Sequence, residues 1–401
     1  MTTTKNNEHK KLNVPNLRFP EFQGEWEKTK IGDIAIVVGG GTPDTNTSQY
    51  WNGKIQWFTP SEIGRNKYVY NSVRTISEEG LNKSSAKLLP IGTILLSSRA
   101  TVGECSINKK ECTTNQGFQS LIPKENISNE FVYYLIQTKR KDLIRKSCGS
   151  TFLEISANEV RKIVVSIPSI KEQDKIAKLL SLLDDRIATQ NKIIEDLKKL
   201  KAAIIDYAIN SLDSGFVKFG SLYKMAGEGG TPTTSNASFY DNGKIPFIKI
   251  DDLKKKYLTE NKDFITELGL QKSSAWLVPS RSILFSNGAT IGEITITTYP
   301  VCTKQGILGI VPKPNIDVEF LYYFMSSSYF KKAVSRIVTE GTMKTAYLKD
   351  INNIRCPIPI KEKQQDIAKM PSALNSKIDF EQSILKLFCS QKQYLLCQMF
   401  M

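Results

Sequence analysis

Two stretches of this chain, which begin 189 residues apart, decide its fold. Residues 81–104 read LNKSSAKLLPIGTILLSSRATVGE, and residues 270–293 read LQKSSAWLVPSRSILFSNGATIGE. The two stretches are identical at 14 of 24 positions without a gap, which is far beyond accident for a segment of mixed composition. A sequence period of this length indicates two tandem domains rather than a solenoid of small units.

Shorter echoes on both sides of these stretches have nearly the same offset. They are GGTP at 40–43 and 229–232, TNQG at 114–117 and TKQG at 303–306, and EFVYY at 130–134 and EFLYY at 319–323. The order of the echoes is the same in both halves. The chain is therefore a tandem duplication.

Each copy has a mixed sequence pattern. The runs at 94–97 and 283–286 are short and apolar, which favours buried strands that open into polar loops. Residues 130–146 and 319–335 carry apolar side chains at helical spacing. We therefore expect each copy to be an α+β domain of about 140 residues, with the GGTP segments as turns.

A stretch of about 40 residues without glycine or proline follows Pro168. Its apolar residues alternate at spacings of four and three, interrupted at Gln190 and Lys201, which is typical of a coiled-coil seam. The end of the second copy has the same register, displaced by 191 residues. The predicted seam consists of Ile176, Leu180, Leu183, Ile187, Ile194, Leu197, Ile204, Ile367, Leu374, Ile378, Leu385, Phe388 and Leu395.

Two long helices with matching seams are expected to pack against each other as an antiparallel pair. The first would span roughly 55 Å at 1.5 Å per residue. An alternative is that each helix docks separately on its own domain, because heptad patterns also occur in ordinary packed helices. Pro371 replaces the seam residue Leu180 in the second copy, so we expect a kink or a late helix start there.

These patterns divide the chain into five segments. They are an N-terminal leader at 1–25, a first domain at 26–168, a central spacer helix at 169–214, a second domain at 215–360 and a distal spacer helix at 361–401.

The chain of 401 residues has a formal net charge of +15 and a single histidine, His9. A strongly basic balance favours a polyanionic partner such as nucleic acid, although selection for solubility gives the same signal. With one histidine in a polar tail, an imidazole base or a metal site with several histidines is disfavoured.

The seven cysteines are scattered and contain no C-x-x-C pair, which favours idle thiols over a zinc site or disulfides. No apolar run approaches the roughly 20 residues of a membrane span. The polar start of the chain is unlike a secretory signal. We therefore expect a cytoplasmic protein.

Taken together, the chain resembles the specificity subunits of Type I restriction-modification systems. The motifs that carry the resemblance are the GGTP turns, ATVGE at 100–104 and ATIGE at 289–293, the NQG and KQG steps, IPSIKEQ at 167–173 and LRFPEF at 17–22. Each motif is weak alone, but their order and duplication are specific. The resemblance implies an α+β fold with two tandem target-recognition domains, related by a pseudo-two-fold repeat and separated by two long antiparallel coiled-coil helices.

The resemblance also implies a function. Each domain would read one half of a bipartite, asymmetric DNA sequence, and the helices would be the scaffold for two methylation and two restriction subunits. S-adenosylmethionine, ATP and Mg²⁺ would be bound by those partner subunits, and this chain would hold neither cofactor nor metal. In agreement, the sequence contains no phosphate-binding loop and no amino-methyltransferase motif.

Side chains with paired donors and acceptors distinguish base edges in the major groove, so the loops after strands are the places to look for them. The positions Arg99 and Gly288, and Asn115 and Lys304, differ between the copies, which suits divergent base reading. A structural role for these loops remains open. The candidate DNA-contacting residues are Thr42, Arg99, Thr101, Asn115, Gln116, Thr151, Thr231, Asn287, Thr290, Lys304, Gln305, Thr342 and Lys344.

Two other classes of function compete with this interpretation. One is a stand-alone DNA-modifying enzyme, which the missing catalytic motifs disfavour. The other is a coiled-coil interaction scaffold whose positive charge is incidental. The clusters Lys139-Arg140-Lys141 and Lys254-Lys255-Lys256 could neutralise phosphates, yet a charge run is usually a solvated face.

Overall fold

A computed structural model of the chain describes residues 12–149, 153–288, 290–338 and 344–401. The chain divides into two compact units, one formed by Met1–Thr189 with Leu385–Met401 and the other by Gln190–Ile384. Each unit has its own hydrophobic core. Among the described residues, no helix combines the length and the apolar character that crossing a membrane requires.

The described residues of the first unit form ten strands. They are β1 (Glu27–Lys30), β2 (Ala35–Gly39), β3 (Trp51–Phe58), β4 (Tyr68–Val69), β5 (Arg74–Ile76), β6 (Ile94–Leu96), β7 (Cys105–Asn108), β8 (Cys112–Thr114), β9 (Gln119–Pro123) and β10 (Val164–Ile167). Its helices are α1 (Ile31–Ile34), α2 (Glu78–Asn82), α3 (Asn129–Thr138), α4 (Arg140–Arg145), α5 (Ala157–Arg161) and the first half of α6 (Ile170–Asn210). Short 3₁₀ turns lie at Ser48–Tyr50 and Pro60–Glu62.

The strands described in the first unit form three sheets. A five-stranded sheet has the order β2-β9-β6-β7-β4, a three-stranded sheet has the order β5-β3-β8, and β1 pairs with β10. The central strand β6 is apolar at all three positions and fully buried, as expected for a strand covered on both faces. Helix α3 packs its aromatic face, including Phe131 and Tyr134, into the core beside this sheet.

The second unit repeats these elements. Its strands are β11 (Phe216–Lys218), β12 (Tyr223–Glu228), β13 (Ile245–Ile248), β14 (Tyr257–Leu258), β15 (Asp263–Ile265), β16 (Ile283–Ser286), β17 (Ile294–Thr297), β18 (Cys302–Thr303), β19 (Ile307–Pro312) and β20 (Arg355–Pro357). Its helices are α7 (Glu267–Gln271), α8 (Val318–Ser326), α9 (Ser328–Ile337), α10 (Leu348–Ile351) and most of α11 (Lys361–Met399). Short 3₁₀ turns lie at Phe219–Ser221, Ala237–Phe239 and Ile250–Lys254.

The sheets of the second unit have the same topology as those of the first. Their orders are β12-β19-β16-β17-β14, β15-β13-β18 and β11-β20. Every strand corresponds in order to its partner in the first unit. The duplication inferred from sequence is therefore a duplication of fold, with mixed helix and strand content in each copy.

The long helices α6 and α11 pass from one unit into the other, and within each unit they lie side by side and antiparallel. In the second unit, the side chain of Gln190 reaches Glu381, whereas that of Lys201 reaches Asn375. Residue numbers therefore increase along α6 where they decrease along α11, so the two helices run in opposite directions. In the first unit, Lys392 and Asp184 form an ion pair of 2.6 Å.

All thirteen predicted seam residues lie on these two helices. Ile176, Leu180, Leu183, Ile194 and Ile378 are buried. The other eight, which are half-buried, are Ile187, Leu197, Ile204, Ile367, Leu374, Leu385, Phe388 and Leu395.

The two interruptions of the seam, Gln190 and Lys201, are polar pairs rather than defects. Gln190 donates to the backbone oxygen of Glu381 at 3.1 Å and also to its carboxylate. Hydrogen bonds from Lys377 and Gln190 lower the pKa of that carboxyl group. Lys201 donates to Asn375 at 2.9 Å, and burial lowers the pKa of its ammonium group.

The expectation of a late helix start at Pro371 is wrong. Helix α11 begins at Lys361 and continues through the proline. Proline removes one backbone hydrogen bond, but the ring of Pro371 is buried. Packing of the ring offsets part of the lost hydrogen bond, because tertiary contacts supply most of the stability of a helix in a folded protein.

Candidate nucleic-acid interface

In the five-stranded sheet of the first unit, strands β2 and β6 end where strands β9 and β7 begin. The end of β6 at Leu96 lies opposite the start of β7 at Cys105, and the end of β2 at Gly39 lies opposite the start of β9 at Gln119. The next residue, Ser97, bridges to β9's neighbour Phe118. The register therefore places residues 40–43, 97–104 and 115–117 together; we call them the first loop cluster.

Backbone hydrogen bonds join the loops of this cluster. The N–H of Gly41 donates to Thr114 at 2.8 Å, and that of Ser98 donates to Gly117 at 2.9 Å. Thr42 also donates its hydroxyl hydrogen to the side-chain oxygen of Gln116. Two of the candidate residues, the turn threonine and the step glutamine, are thus in direct contact.

The second unit builds an equivalent cluster from residues 229–232, 286–288, 290–293 and 304–306, which we call the second loop cluster. The N–H of Gly229 donates to Ile307 at 2.9 Å, and that of Asn287 donates to Gly306 at 3.0 Å. The N–H of Gln305 donates to the hydroxyl of Thr231 at 3.3 Å. The same two motifs therefore meet in both copies.

The paired glycines of the turns are required by close backbone approach. A Cβ on Gly40 would lie 2.0 Å from the backbone oxygen of Asn115, and a Cβ on Gly41 would lie 2.4 Å from the backbone nitrogen of Ala86. In the second unit, a Cβ on Gly229 would lie 2.2 Å from the oxygen of Thr303. Only glycine tolerates such contacts.

Arg99 is exposed, but its guanidinium group already has a partner. One of its terminal nitrogens lies 2.8 Å from both carboxylate oxygens of Glu154. Both side chains are more than 40% exposed, so water screens this pair and DNA phosphates or bases can compete for the arginine. The ion pair holds Arg99 at the edge of the first loop cluster.

The other described candidates of the first copy have local partners. Thr101 shares a hydrogen bond of 2.9 Å with Ser97 and is exposed. The side-chain oxygen of Asn115 accepts a hydrogen bond from Gly117, and this leaves its amide hydrogens for other contacts.

In the second copy, Thr290, Lys304, Gln305 and Lys344 are exposed, and Thr231 is half-buried. Asn287 is 1% exposed, and its amide donates to the backbone oxygen of Ala346 at 3.3 Å. The contact of Asn287 with DNA stays a prediction; in this structure its amide faces the interior. Two further candidates, Thr151 and Thr342, lie outside the described residues.

The loop at 59–66 also reaches this side of the first unit, and sequence reasoning did not single it out. Asn115 donates its backbone hydrogen to Phe58 at 3.1 Å, and the hydroxyl of Ser106 donates to the backbone oxygen of Asn66 at 2.7 Å. Arg65 and Asn66 are exposed. They lie in the polar loop that follows the apolar end of β3 at Phe58, and this placement is the signal that could have identified them.

The two basic clusters are only partly solvated. Lys139 donates to the backbone oxygen of Met401, and burial lowers the pKa of its ammonium group. Arg140 pairs with Glu104 at 2.8 Å. Lys256 is 3% exposed, which leaves Lys254 and Lys255 as the exposed members of the second cluster. Lys139 and Lys256 are therefore unsuited to phosphate contact.

Ala100 has a φ of +61°, a left-handed conformation that disfavours residues with a Cβ. Replacing it with glycine is expected to raise the free energy of unfolding by about 1 kcal/mol, because glycine adopts this conformation without the steric penalty. Thermal unfolding measures the change. Gly103→Ala in the same loop is the opposing control, since Gly103 has a φ of +88° and should lose stability. An unchanged or lower midpoint for Ala100→Gly would contradict the assignment.

No metal-binding group was found in the described ranges: no three histidine, cysteine or carboxylate side chains lie together in a way that could hold an ion. Four of the cysteines, Cys105, Cys112, Cys302 and Cys356, are buried. Burial raises the pKa of the Cys105 thiol to about 12, which keeps it protonated and unreactive near neutral pH.

Comparisons with known proteins give consistent results. The family described as "Type I restriction modification DNA specificity domain" matches residues 23–199 and again 212–387. The MjaIX specificity subunit of Methanocaldococcus jannaschii, a Type I restriction enzyme, is 32% identical over 380 residues, which is 88% of each chain. The EcoR124I/EcoR124II specificity subunit of Escherichia coli is 32% identical over 190 residues, 46% of each chain.

Solved structures give the same fold. The S subunit of a Type I restriction-modification system from M. genitalium superposes with a TM-score of 0.56 at 17% identity, covering 97% of this chain and 99% of that one. A chain from a study of the assembly and conformational transition of the Type I system superposes with a TM-score of 0.62 at 15% identity, covering 94% and 97%.

Proposed function

This chain belongs to the family of Type I restriction-modification specificity subunits, and on that premise we propose that each domain reads one half of a bipartite, asymmetric DNA sequence. The observation that carries the proposal is the pair of equivalent loop clusters on a duplicated fold. The side chains differ at equivalent positions of the two copies: Arg99 of the first copy corresponds to Gly288 of the second, and Asn115 corresponds to Lys304. A conserved frame with divergent side chains suits the reading of two different half-sites.

Direct reading of bases would fall to a few exposed side chains. Arginine and lysine suit the acceptors of guanine, and asparagine suits adenine. Arg99 and Asn115 in the first unit and Lys304 in the second have groups free for such contacts once Glu154 is displaced from Arg99. Thr42, Gln116, Thr231 and Gln305 would hold the loops in shape and reach phosphates.

Electrostatics supports a polyanionic partner. The net charge of +15 attracts DNA over distances comparable with the Debye length, and Arg65, Lys254 and Lys255 are among the exposed cations. Phosphate contacts of this kind position the protein without specifying sequence.

The long helices would scaffold the other subunits. In the first unit, α6 and α11 expose Leu182, Leu387 and Tyr394; in the second unit they expose Ile193, Leu200, Tyr207, Met370 and Phe380. Apolar residues recurring at heptad spacing on an exposed helical surface mark a docking site for further helices. We propose that two methylation subunits dock there and that two restriction subunits join them.

In this proposal the chain has no chemistry of its own. S-adenosylmethionine would be bound by the methylation subunits, whereas ATP and Mg²⁺ would be bound by the restriction subunits. The specificity subunit would recognise the DNA sequence, and its partner subunits would catalyse the reactions.

A gel-shift series across salt concentrations tests the DNA-reading function. We expect the logarithm of the affinity for duplex DNA to fall linearly with the logarithm of the salt concentration, with a slope of about −0.9 per phosphate neutralised. The chain is measured alone and with its methylation subunits. Binding that is absent, or insensitive to salt, would favour the coiled-coil interaction scaffold, and S-adenosylmethionine binding by the chain alone would favour an enzyme.

A further inference from the structure

A buried lysine occupies the same place in each unit. Lys67 and Lys256 are 189 residues apart, and their side chains are only 9% and 3% exposed. Lysine is almost never buried to this extent unless its charge is paired. The sequence did not single out Lys67, and Lys256 was considered only as part of the run of three lysines at 254–256.

In the first unit, the ammonium group of Lys67 joins three elements. It lies 2.8 Å from a carboxylate oxygen of Glu130 at the start of α3, and it donates to the hydroxyl of Ser181 on α6 at 3.1 Å. It also lies 5.0 Å and 4.9 Å from the ring centres of Tyr68 and Tyr134, within the range of cation–π attraction.

The second unit reproduces the arrangement with the other long helix. Lys256 forms an ion pair with Glu319 at the start of α8 and donates to the hydroxyl of Ser372 on α11 at 3.0 Å. Tyr257 and Tyr323 lie 4.8 Å and 4.7 Å from its ammonium group. We call the two arrangements the lysine joints.

The tyrosines of the joints bind the long helices as well. The hydroxyl of Tyr134 donates to Asp184 on α6 at 2.6 Å, and the hydroxyls of Tyr323 and Ser372 lie 3.1 Å apart. In the first joint, burial opposes the ionisation of Glu130, but hydrogen bonds from Lys67 and Tyr68 outweigh it, so the pKa of this carboxyl group is lowered. The carboxylate therefore stays charged near neutral pH.

Directional contacts of this kind fix an angle as well as a distance. An apolar contact between a domain and a helix tolerates sliding, whereas a buried cation with a carboxylate, a hydroxyl and ring faces around it has one favourable geometry. The same device recurs on α6 for the first domain and on α11 for the second. Its recurrence at the point where each domain meets its long helix points to a common role.

We propose that Lys67 and Lys256 are positioning residues that set the orientation of each recognition domain on its long helix, and thereby the spacing of half-sites that the protein accepts. The inference rests on the proposed function. It assigns the two lysines no contact with DNA.

The test measures spacing selectivity in the full chain assembled with its methylation subunits. The probes are DNA duplexes that carry the bipartite sequence methylated in cells that contain the complex. The two half-sites are separated by the natural spacer, or by a spacer one base pair longer or shorter. For Lys67→Met and Lys256→Met, we expect the preference for the natural spacer to fall by about tenfold, comparable with the loss of one base-pair contact. Lys109→Met is the matched control, because Lys109 is exposed and its ammonium group lies 4.0 Å from the ring of the same Tyr68.

Ser181→Ala and Ser372→Ala provide a second pair of variants, which keep the charge pair and remove only the bond to the long helix. We expect them to relax the spacing preference in the same direction, and they decide the question if the methionine variants fail to fold. Folded variants of both kinds that retain the spacing preference of the parent chain would overturn the inference. A parent chain that prefers no bipartite duplex at all would instead overturn the proposed function.

Discussion

Replacing Gly40 with alanine is expected to reduce recognition of the first half-site by at least about tenfold, the loss of one good base contact. The added Cβ would lie 2.0 Å from the backbone oxygen of Asn115 and 2.4 Å from that of Thr114. Both are backbone atoms, so the turn must move away from the step that carries Asn115 and Gln116. The measurement is the affinity for duplexes in which either half-site is scrambled, with thermal unfolding measured alongside.

Two further glycines provide the controls for this experiment. Gly229→Ala places a Cβ 2.2 Å from Thr303 in the second unit, so it should weaken recognition of the second half-site only. Gly215→Ala meets no atom within 4 Å and should leave both half-sites unaffected. If Gly40→Ala weakened both half-sites equally in a folded protein, the loop clusters would not be independent readers.

Replacing Leu180 with alanine is expected to lower the free energy of unfolding of the first unit by about 2–5 kcal/mol. Leu180 lies on α6 but is fully buried in the core of the first unit, together with Phe131 and Phe400. The lost methyl groups would leave a cavity that surrounding backbone cannot fill. Chemical denaturation monitored by circular dichroism measures the change.

Leu182→Ala is the matched control on the same helix. Leu182 is 55% exposed, so the substitution has the same effect on helix propensity without creating a cavity. We expect a change within about 0.5 kcal/mol. Equal losses for the two variants would show that α6 is not anchored in the core of the first unit.

The parts of the fold that could be predicted from sequence are those encoded in local or repeated patterns. The duplication identified two equivalent domains, and the apolar runs identified β6 and β16 as buried strands. Apolar residues at alternating spacings of four and three identified the long helices, because this pattern can be read from the local sequence alone. The contact of each turn threonine with its step glutamine was not foreseen, although both residues were candidates.

Tertiary contacts account for what could not be predicted. Asn287 is polar and follows a strand, which suits a reader, yet the neighbouring backbone at Ala346 draws its amide inward. Lys256 belongs to a run of three lysines that suggests a solvated face, but ring and carboxylate groups remote in sequence bury it. From sequence alone, Pro371 predicts an interrupted helix, whereas in the structure the helix is continuous and the ring of Pro371 is buried. None of these partners is visible in the local sequence.

Sequencing of modified bases in the genome of cells that carry this chain with its partner subunits tests the central claim most directly. The parent chain is compared with a variant in which residues 26–168 are exchanged for the equivalent segment of a relative. We expect the parent to give one motif in two parts separated by a fixed gap, and the exchange to alter one part while the other part stays unchanged. A contiguous motif, or an exchange that alters both parts, would contradict the assignment of one half-site to each domain.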